Sequence, residues 1–325
     1  MKQHDVWFAR YGYVCPSPQG RIVTVEGVGR RDLYNVTMIE QDSNKILAFR
    51  SEQRRSLAWS RHRYHPVVRF ARRVGEQWQV DNTLPPFDMM EDPFCFTITK
   101  HGKRELIFGG VIIRREGRAI IPQTVFYRGR SIFALNRTPF ATIDNMKDIR
   151  LVQMPDGRLL LSRRPWGGEF GRGQITLHVL NSIEDLQAAY TELHTLAVLE
   201  DCAKTADWVG VNELHILPNA DGEPQLCILG HLAFQEANGT RHYAACTYTN
   251  SLAELLNDTL NRPCPRVLAV RACFEPGPAK LKTLTDVVFP GHLEHLSGND
   301  YRLWAGLSDA RIGVVDLQDP FRLTN

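Results

Sequence analysis

The sequence contains no Cys-x-x-Cys pair, no Asp-x-Asp pair, no Gly-x-Ser-x-Gly elbow, no phosphate-binding loop of the Walker type and no apolar run of membrane length. Each absence removes a class. Seven cysteines, an odd number and scattered, build neither a disulfide framework nor a zinc ribbon. Without an Asp-x-Asp pair, metal-assisted sugar transfer of the usual α/β kind is disfavoured, and without the elbow there is no signature of ester or peptide hydrolysis. Gly27-Val28-Gly29 is a lone Gly-x-Gly with no third glycine, so no dinucleotide site is read from it. His62 and His65 have no companion carboxylate at ligand spacing, so no metal is expected, and no cofactor either. The net charge of +3 comes from basic residues spread along the chain rather than gathered in a stripe, which argues against nucleic acid as a partner. Met1-Lys2-Gln3-His4-Asp5 lacks the apolar core of a secretion signal; the expectation is a cytoplasmic protein with no membrane partner.

What the sequence does contain is a repeat. Five units open with an acid or Asn, run into a short apolar strand, turn through polar residues and return as a second apolar strand. They begin at Asn35, Asp92, Asp148, Glu213 and Asp286. Their return strands are Ile46–Phe49, Leu106–Phe108, Leu159–Leu161, Leu226–Leu229 and Arg302–Ala305. The intervening turns, Asp42-Ser-Asn, His101-Gly-Lys, Pro155-Asp-Gly, Asp221-Gly and Ser297-Gly-Asn, carry hairpin chemistry. Two longer connections, Ser182–Leu199 and Ser251–Leu260, begin with capping-box patterns and are expected to hold short helices. Five such units in 325 residues bury their faces best by packing radially, so the expected fold is all-β: one domain, residues 1–325, a five-bladed β-propeller with the site at the mouth of its channel. A strand near Arg21–Val25 is expected to pair with the last unit near Ile312–Leu317. A sandwich or β-helix is the alternative architecture.

In a propeller the leading ends of the inner strands converge, which would bring Asn35, Asp92, Asp148, Glu213 and Asp286 together as a ring of four carboxylates and one amide. Crowded carboxylates raise one another's pKa, and such a ring can keep one protonated as a general acid. An Asp before a strand is also an ordinary turn residue, so part of the ring has a structural reading. Arg50, Lys147, Arg150, Arg163 and Lys280 recur beside these positions, and Trp166-Gly-Gly-Glu-Phe-Gly-Arg-Gly173 adds Arg172 in a glycine-rich loop. Guanidinium and ammonium groups beside carboxylates suit a polyhydroxylated substrate carrying phosphate.

Glu91-Asp92-Pro93-Phe94, Met146-Lys-Asp-Ile-Arg150, Gly210-Val-Asn-Glu-Leu-His215, Glu275-Pro-Gly-Pro-Ala-Lys280 and Leu284-Thr-Asp-Val-Val-Phe289 resemble the domain of unknown function 1861 family. Within it they resemble the mannogen mannosyltransferase/phosphorylases of glycosyltransferase family 108, themselves similar to the mannoside phosphorylases of glycoside hydrolase family 130. The likeness runs from about Asp32 to Phe321. It implies a five-bladed propeller and inverting chemistry on β-1,2-linked mannose, with GDP-mannose, α-mannose 1-phosphate and β-1,2-mannan as partners. The phosphorylase acid lies in a Glu-Asp-Pro-Arg motif that maps onto Asp92 as the catalytic residue; the Arg of that motif is Phe94 here. Asn35, Asp148, Asn212, Glu213, His231, Asp286 and Asp309 are the expected substrate contacts, and Arg50, Lys147, Arg150, Arg163, Arg172 and Lys280 the expected phosphate contacts. Two other functions stay open: a propeller hydrolase, with Asp148 or Glu213 activating water, and a carbohydrate-binding propeller without catalysis. The oligomeric state is left open.

Overall fold

The computed structural model describes residues 3–13, 19–41, 44–53, 65–117, 119–165, 175–188, 197–198, 208–257 and 265–322. The chain is mostly β. It divides into two compact units interleaved in sequence. The first comprises Met1–Pro93, Ala233–Cys246 and Val267–Gln318; the second comprises Phe94–Leu232, Thr247–Arg266 and Asp319–Asn325.

In the first unit Arg31–Gln41 pairs antiparallel with Asn44–Gln53, which pairs with Val67–Val74 and that in turn with Gln77–Val80. Asn44–Gln53 is buried at seven consecutive positions, Ile46 to Glu52, because both faces of this middle strand are covered. The same unit holds the meander Asp286–Ser297, Asp300–Leu307 and Arg311–Gln318. Arg21–Val23 adds to it as expected, with Arg21 opposite Val314 and Val23 opposite Ile312. Leu33, Met38, Leu47, Phe49, Trp78, Trp304, Ile312 and Val314 share one apolar core. Trp78 and Trp304 meet edge to face in it with centroids 5.6 Å apart, an arrangement that adds about 0.5–1.5 kcal/mol to their burial.

In the second unit Lys103–Glu116 pairs with Ala119–Gly129, and Met146–Gln153 with Leu159–Pro165 and then Thr176–Leu180. Trp208–Pro218 and Pro224–Gln235 are neighbouring strands of one sheet. Phe94, Ile107, Phe126, Ile149 and Leu161 lie in its core. Each of the five expected return segments lies inside a strand. The hairpin glycines Gly157 and Gly222 adopt φ of 90° and 83°, the left-handed region their turns need.

Of the expected helices, Leu252–Leu256 is capped by the Ser251 hydroxyl, which accepts from Glu254 N–H at 3.3 Å. Asp185–Ala188 opens with its Asp185 carboxylate accepting from Ser182 N–H at 2.9 Å. Farther along that connection Ala197–Val198 is a strand, not helix, because it pairs with Thr176 and Leu177 at a sheet edge. The N-terminal helix Gln3–Tyr11 was not expected. The Asp42-Ser-Asn turn and the Trp166–Gly173 loop, with Arg172, lie wholly or partly outside the described residues. No described helix is long and apolar enough to cross a membrane.

Candidate active site

Asn35, Asp92 and Asp148 share an unusual backbone state, with φ of 47°, 50° and 53°. At Asn35 the ladder slips: Tyr34 faces Arg50, Val36 faces Phe49, and Asn35 is the extra residue of a β-bulge. At Asp148 the same break falls between Lys147 and Arg150. Asn and Asp tolerate the left-handed region better than other side chains bearing a Cβ, and a bulge re-aims the side chain it carries. In Asp286–Ser297 the ladder breaks twice, between Pro290 and His292 and between His295 and Ser297. At the first break the extra residue is Gly291, where a Cβ would come within 2.0 Å of the Val36 carbonyl oxygen. Asp286, five residues earlier, is enclosed elsewhere, accepting from Trp7 Nε1 at 3.0 Å and from His242 Nδ1 at 2.7 Å. Burial opposes the charge on His242, but Asp286 and then Glu236 raise its pKa.

Around Asp92 the first unit assembles a dense polar network. Asn35 Nδ2 donates to Asp92 Oδ1 at 2.6 Å and Arg50 Nη1 donates to the same oxygen at 3.2 Å. Arg50 Nη1 also reaches Glu91 Oε2 at 2.6 Å, and its Nε reaches Glu52 Oε1 at 2.7 Å. Lys280 Nζ donates to Glu52 Oε2 at 2.5 Å and to the Tyr34 hydroxyl at 2.6 Å, while that hydroxyl donates to Glu52 Oε1 at 2.6 Å. Withdrawal from water works against ionising Glu52, yet Arg50 and Lys280 overcome it and hold the carboxyl at about 2. Asp309 sits in a tight turn at φ 52° and is pushed the other way. Its pKa is raised by withdrawal from water, which Lys280 and Arg50 oppose and the carboxylates of Asp92 and Glu52 reinforce. Asp92 itself keeps 19% of its side chain exposed, beside partners that are nearly buried.

A second polar cluster lies in the second unit. Asp148 pairs with Arg164 Nε at 2.7 Å. Burial would raise its pKa, but Arg164, His231, Arg150 and Lys147 together lower it. His231 Nδ1 donates to Asn212 Oδ1 at 2.8 Å, and the buried Nδ2 of Asn212 has no partner among the described residues. Gly210 is wedged between these groups: a Cβ there would lie 2.0 Å from His231 Cε1 and 2.7 Å from Asp148 Oδ2. Arg150 donates through Nε to the Asn212 carbonyl at 2.6 Å, and its guanidinium lies over the Phe94 ring at 4.4 Å. Phe94 therefore forms an apolar floor under a cation that belongs to another strand.

Residues 17–323 match the family model described as "Protein of unknown function (DUF1861)". The chain belongs to that family. No curated protein is significantly similar to this DUF1861 chain in sequence. Among solved structures it is similar to MPT-1, a GDP-Man-dependent mannosyltransferase from Leishmania mexicana, with 22% identity over 98% of this chain and 93% of that one and a TM-score of 0.77. It is also similar to MPT-4, a mannose phosphorylase from Leishmania mexicana in complex with phosphate ion, with 26% identity over 99% and 94% of the two chains and a TM-score of 0.76. A β-1,2-mannobiose phosphorylase from Listeria innocua, in complex with β-1,2-mannobiose, matches at 13% identity over 89% and 90%, with a TM-score of 0.60.

In the DUF1861 chain, then, Asn35, Arg50, Asp92, Lys280 and Asp309 come together in the first unit, and Asp148, Arg150, Asn212 and His231 in the second. Glu213, one residue beyond Asn212, alternates to the other face of its strand and lies 3.2 Å from His215 Nε2. Arg50 and Lys280 donate to carboxylates. Lys147 faces Arg164 across the ladder, and Arg163 makes a long contact of 3.4 Å with Thr176 Oγ1. Glu52, Glu91, Tyr34 and Gly210 were not among the expected site residues. Glu52 had a signal, since it follows Arg50 by two on one strand and so shares its face.

Proposed function

We propose that this protein is an inverting β-1,2-mannosyltransferase/phosphorylase built as a five-bladed β-propeller, with Asp92 as the group that moves the proton. The observation that carries the reading is a likeness extending over more than nine-tenths of both chains to a GDP-Man-dependent mannosyltransferase and to a mannose phosphorylase. Asp92 adds support, as a partly exposed carboxyl set among nearly buried cations and acids. In phosphorolysis a phosphate oxygen bonds to the anomeric carbon from one face while the glycosidic C–O bond breaks on the other, and Asp92 gives its proton to the departing sugar oxygen. Phosphate is already anionic, so the step asks for no general base. In transfer from GDP-mannose the reaction runs the opposite way: an acceptor hydroxyl attacks, GDP leaves, and Asp92 takes the hydroxyl proton. Asp309 beside Asp92, and the polar cluster of Asp148, Asn212 and His231, supply the proposed sugar contacts. The half-buried basic side chains Lys147 and Arg163 suit phosphate, with Arg172 the remaining proposed contact.

The test is product analysis with GDP-mannose plus β-1,2-mannobiose and, separately, β-1,2-mannan plus phosphate, each with Asp92→Asn alongside. Chain extension in the first reaction and α-mannose 1-phosphate in the second are expected, both falling by at least 100-fold in the variant. Free mannose released without phosphate would instead make the protein a hydrolase, and sugar binding without turnover would make it a binding propeller.

A further inference from the structure

We propose that Asn35 is a positioning residue which, together with Arg50, confines the transferable proton of Asp92 to a single oxygen, Oδ2. The inference rests on the reading of Asp92 as the acid and deepens it. A protonated carboxyl has one hydroxyl oxygen and one carbonyl oxygen. Asp92 Oδ1 receives two N–H donors, from Asn35 Nδ2 at 2.6 Å and Arg50 Nη1 at 3.2 Å, and an oxygen so occupied serves as the carbonyl end. Oδ2 has no hydrogen-bond partner among the described residues, and the side chain keeps 19% exposure, so the proton is left to the oxygen that receives no donor.

The two donors are held from independent directions. Arg50 is fixed by Glu91 and Glu52 at 2.6 and 2.7 Å. Asn35 is fixed by its bulge and by close backbone packing, since a Cβ on Gly306 would lie 2.6 Å from Asn35 Oδ1 and 2.7 Å from its backbone nitrogen. With Asp92 ionised, the amide presents Nδ2 to it. Reversed, it would set a carbonyl oxygen 2.6 Å from a carboxylate oxygen. The present orientation leaves Asn35 Oδ1 buried without a partner among the described residues, at a typical cost of about 1–3 kcal/mol. A side chain that serves the fold alone has no need of that sacrifice; one that must present Nδ2 to Asp92 does. Its donor is engaged and its acceptor enclosed, so Asn35 orients the acid rather than gripping sugar, which revises the role expected from the sequence.

Two substitutions keep the left-handed backbone: Asn35→Gly, which deletes the amide, and Asn35→Asp, which replaces the donor with a second carboxylate. In phosphorolysis of β-1,2-mannobiose, Asn35→Gly should lower kcat by roughly 10- to 100-fold while KM stays within about twofold. Its alkaline limb should move to higher pH, because a hydrogen bond that favours the charged carboxyl has been lost. In Asn35→Asp the limb should move to higher pH as well, since a like charge now adjoins Asp92. An increase in KM with kcat and limb unchanged would make Asn35 a substrate ligand and overturn the proposal. A readout independent of activity is the 13C carboxyl titration of Asp92, assigned by its loss in Asp92→Asn. Titration curves that coincide in wild type and both Asn35 variants would overturn the proposal; a shifted curve in a protein with no mannosyl activity would uphold it while the functional reading failed.

Discussion

At the scale of single residues, the chemistry depends on charges kept out of water by their partners. Glu52 is the clearest case. Its side chain is 8% exposed, and the cations of Arg50 and Lys280 hold its carboxyl at about 2, against an ordinary value of 4.5. A folded-state pKa below the unfolded one contributes stability that is complete above the unfolded value and is lost as pH falls through the folded value. The window for Glu52 is therefore about pH 4.5 down to about 2, and the contribution is roughly 3 kcal/mol. Urea unfolding of wild type and Glu52→Gln at pH 6, 4 and 3 should show a large gap at pH 6 that narrows on acidification. Equal gaps at all three values would mean that Glu52 is not held ionised by this network. The residues of this cluster were partly legible: an amide and an acid at strand openings pointed to Asn35 and Asp92, and basic residues recurring near such positions pointed to Arg50 and Lys280. Glu213 illustrates the limit. The eye picks the acid, but twofold alternation along the strand puts Asn212, not its neighbour, beside His231.

At the scale of elements, hairpins were legible because apolar runs and turn glycines announce them, and the pairing of Arg21–Val23 with the last strand was legible because an edge needs a partner. Bulges were not. An inserted residue shifts the parity of everything beyond it, and in the fifth repeat the ladder breaks at Gly291 and again between His295 and Ser297, not at the opening acid Asp286. The N-terminal helix is hard to read for a related reason: in Gln3–Tyr11 the apolar residues Val6, Trp7 and Phe8 run consecutively rather than at helical spacing, and what fixes the helix is a long-range contact. Trp7, 1% exposed, donates its indole N–H to Asp286 at 3.0 Å and meets the Phe234 ring at 5.4 Å. Trp7→Phe keeps the ring contact and removes the donor from a buried carboxylate, so it should cost about 1.5–3 kcal/mol. A lowered urea midpoint with an unchanged slope is the expected signature, and an unchanged midpoint would show the helix to be a passenger.

At the scale of the whole molecule, neither compact unit is a continuous stretch of chain. The first takes its core from residues as early as Val25 and as late as Val314, and the charge network around Asp92 joins Asn35 to Lys280. Composition and repeats reveal that the strands are many and similar, but not which distant ones close on each other, because apolar strands of equal length are interchangeable in sequence. This interleaving makes a sharp prediction. A chain ending at Arg266 keeps Asp92, Asn35 and Arg50 yet loses Trp304, Ile312 and Val314 from the core, the partner strand of Arg21–Val23, and Lys280. Glu52 would then lie beside Arg50 with half its cationic support gone, and the buried face around Trp78 would be open to water. Such a chain should lack the near-ultraviolet circular dichroism of packed tryptophans and should elute as aggregate, with no cooperative unfolding transition. If it instead elutes as a monomer and unfolds cooperatively, the early segments carry a core of their own, and the late strands act on the site around Asp92 without being required for the fold.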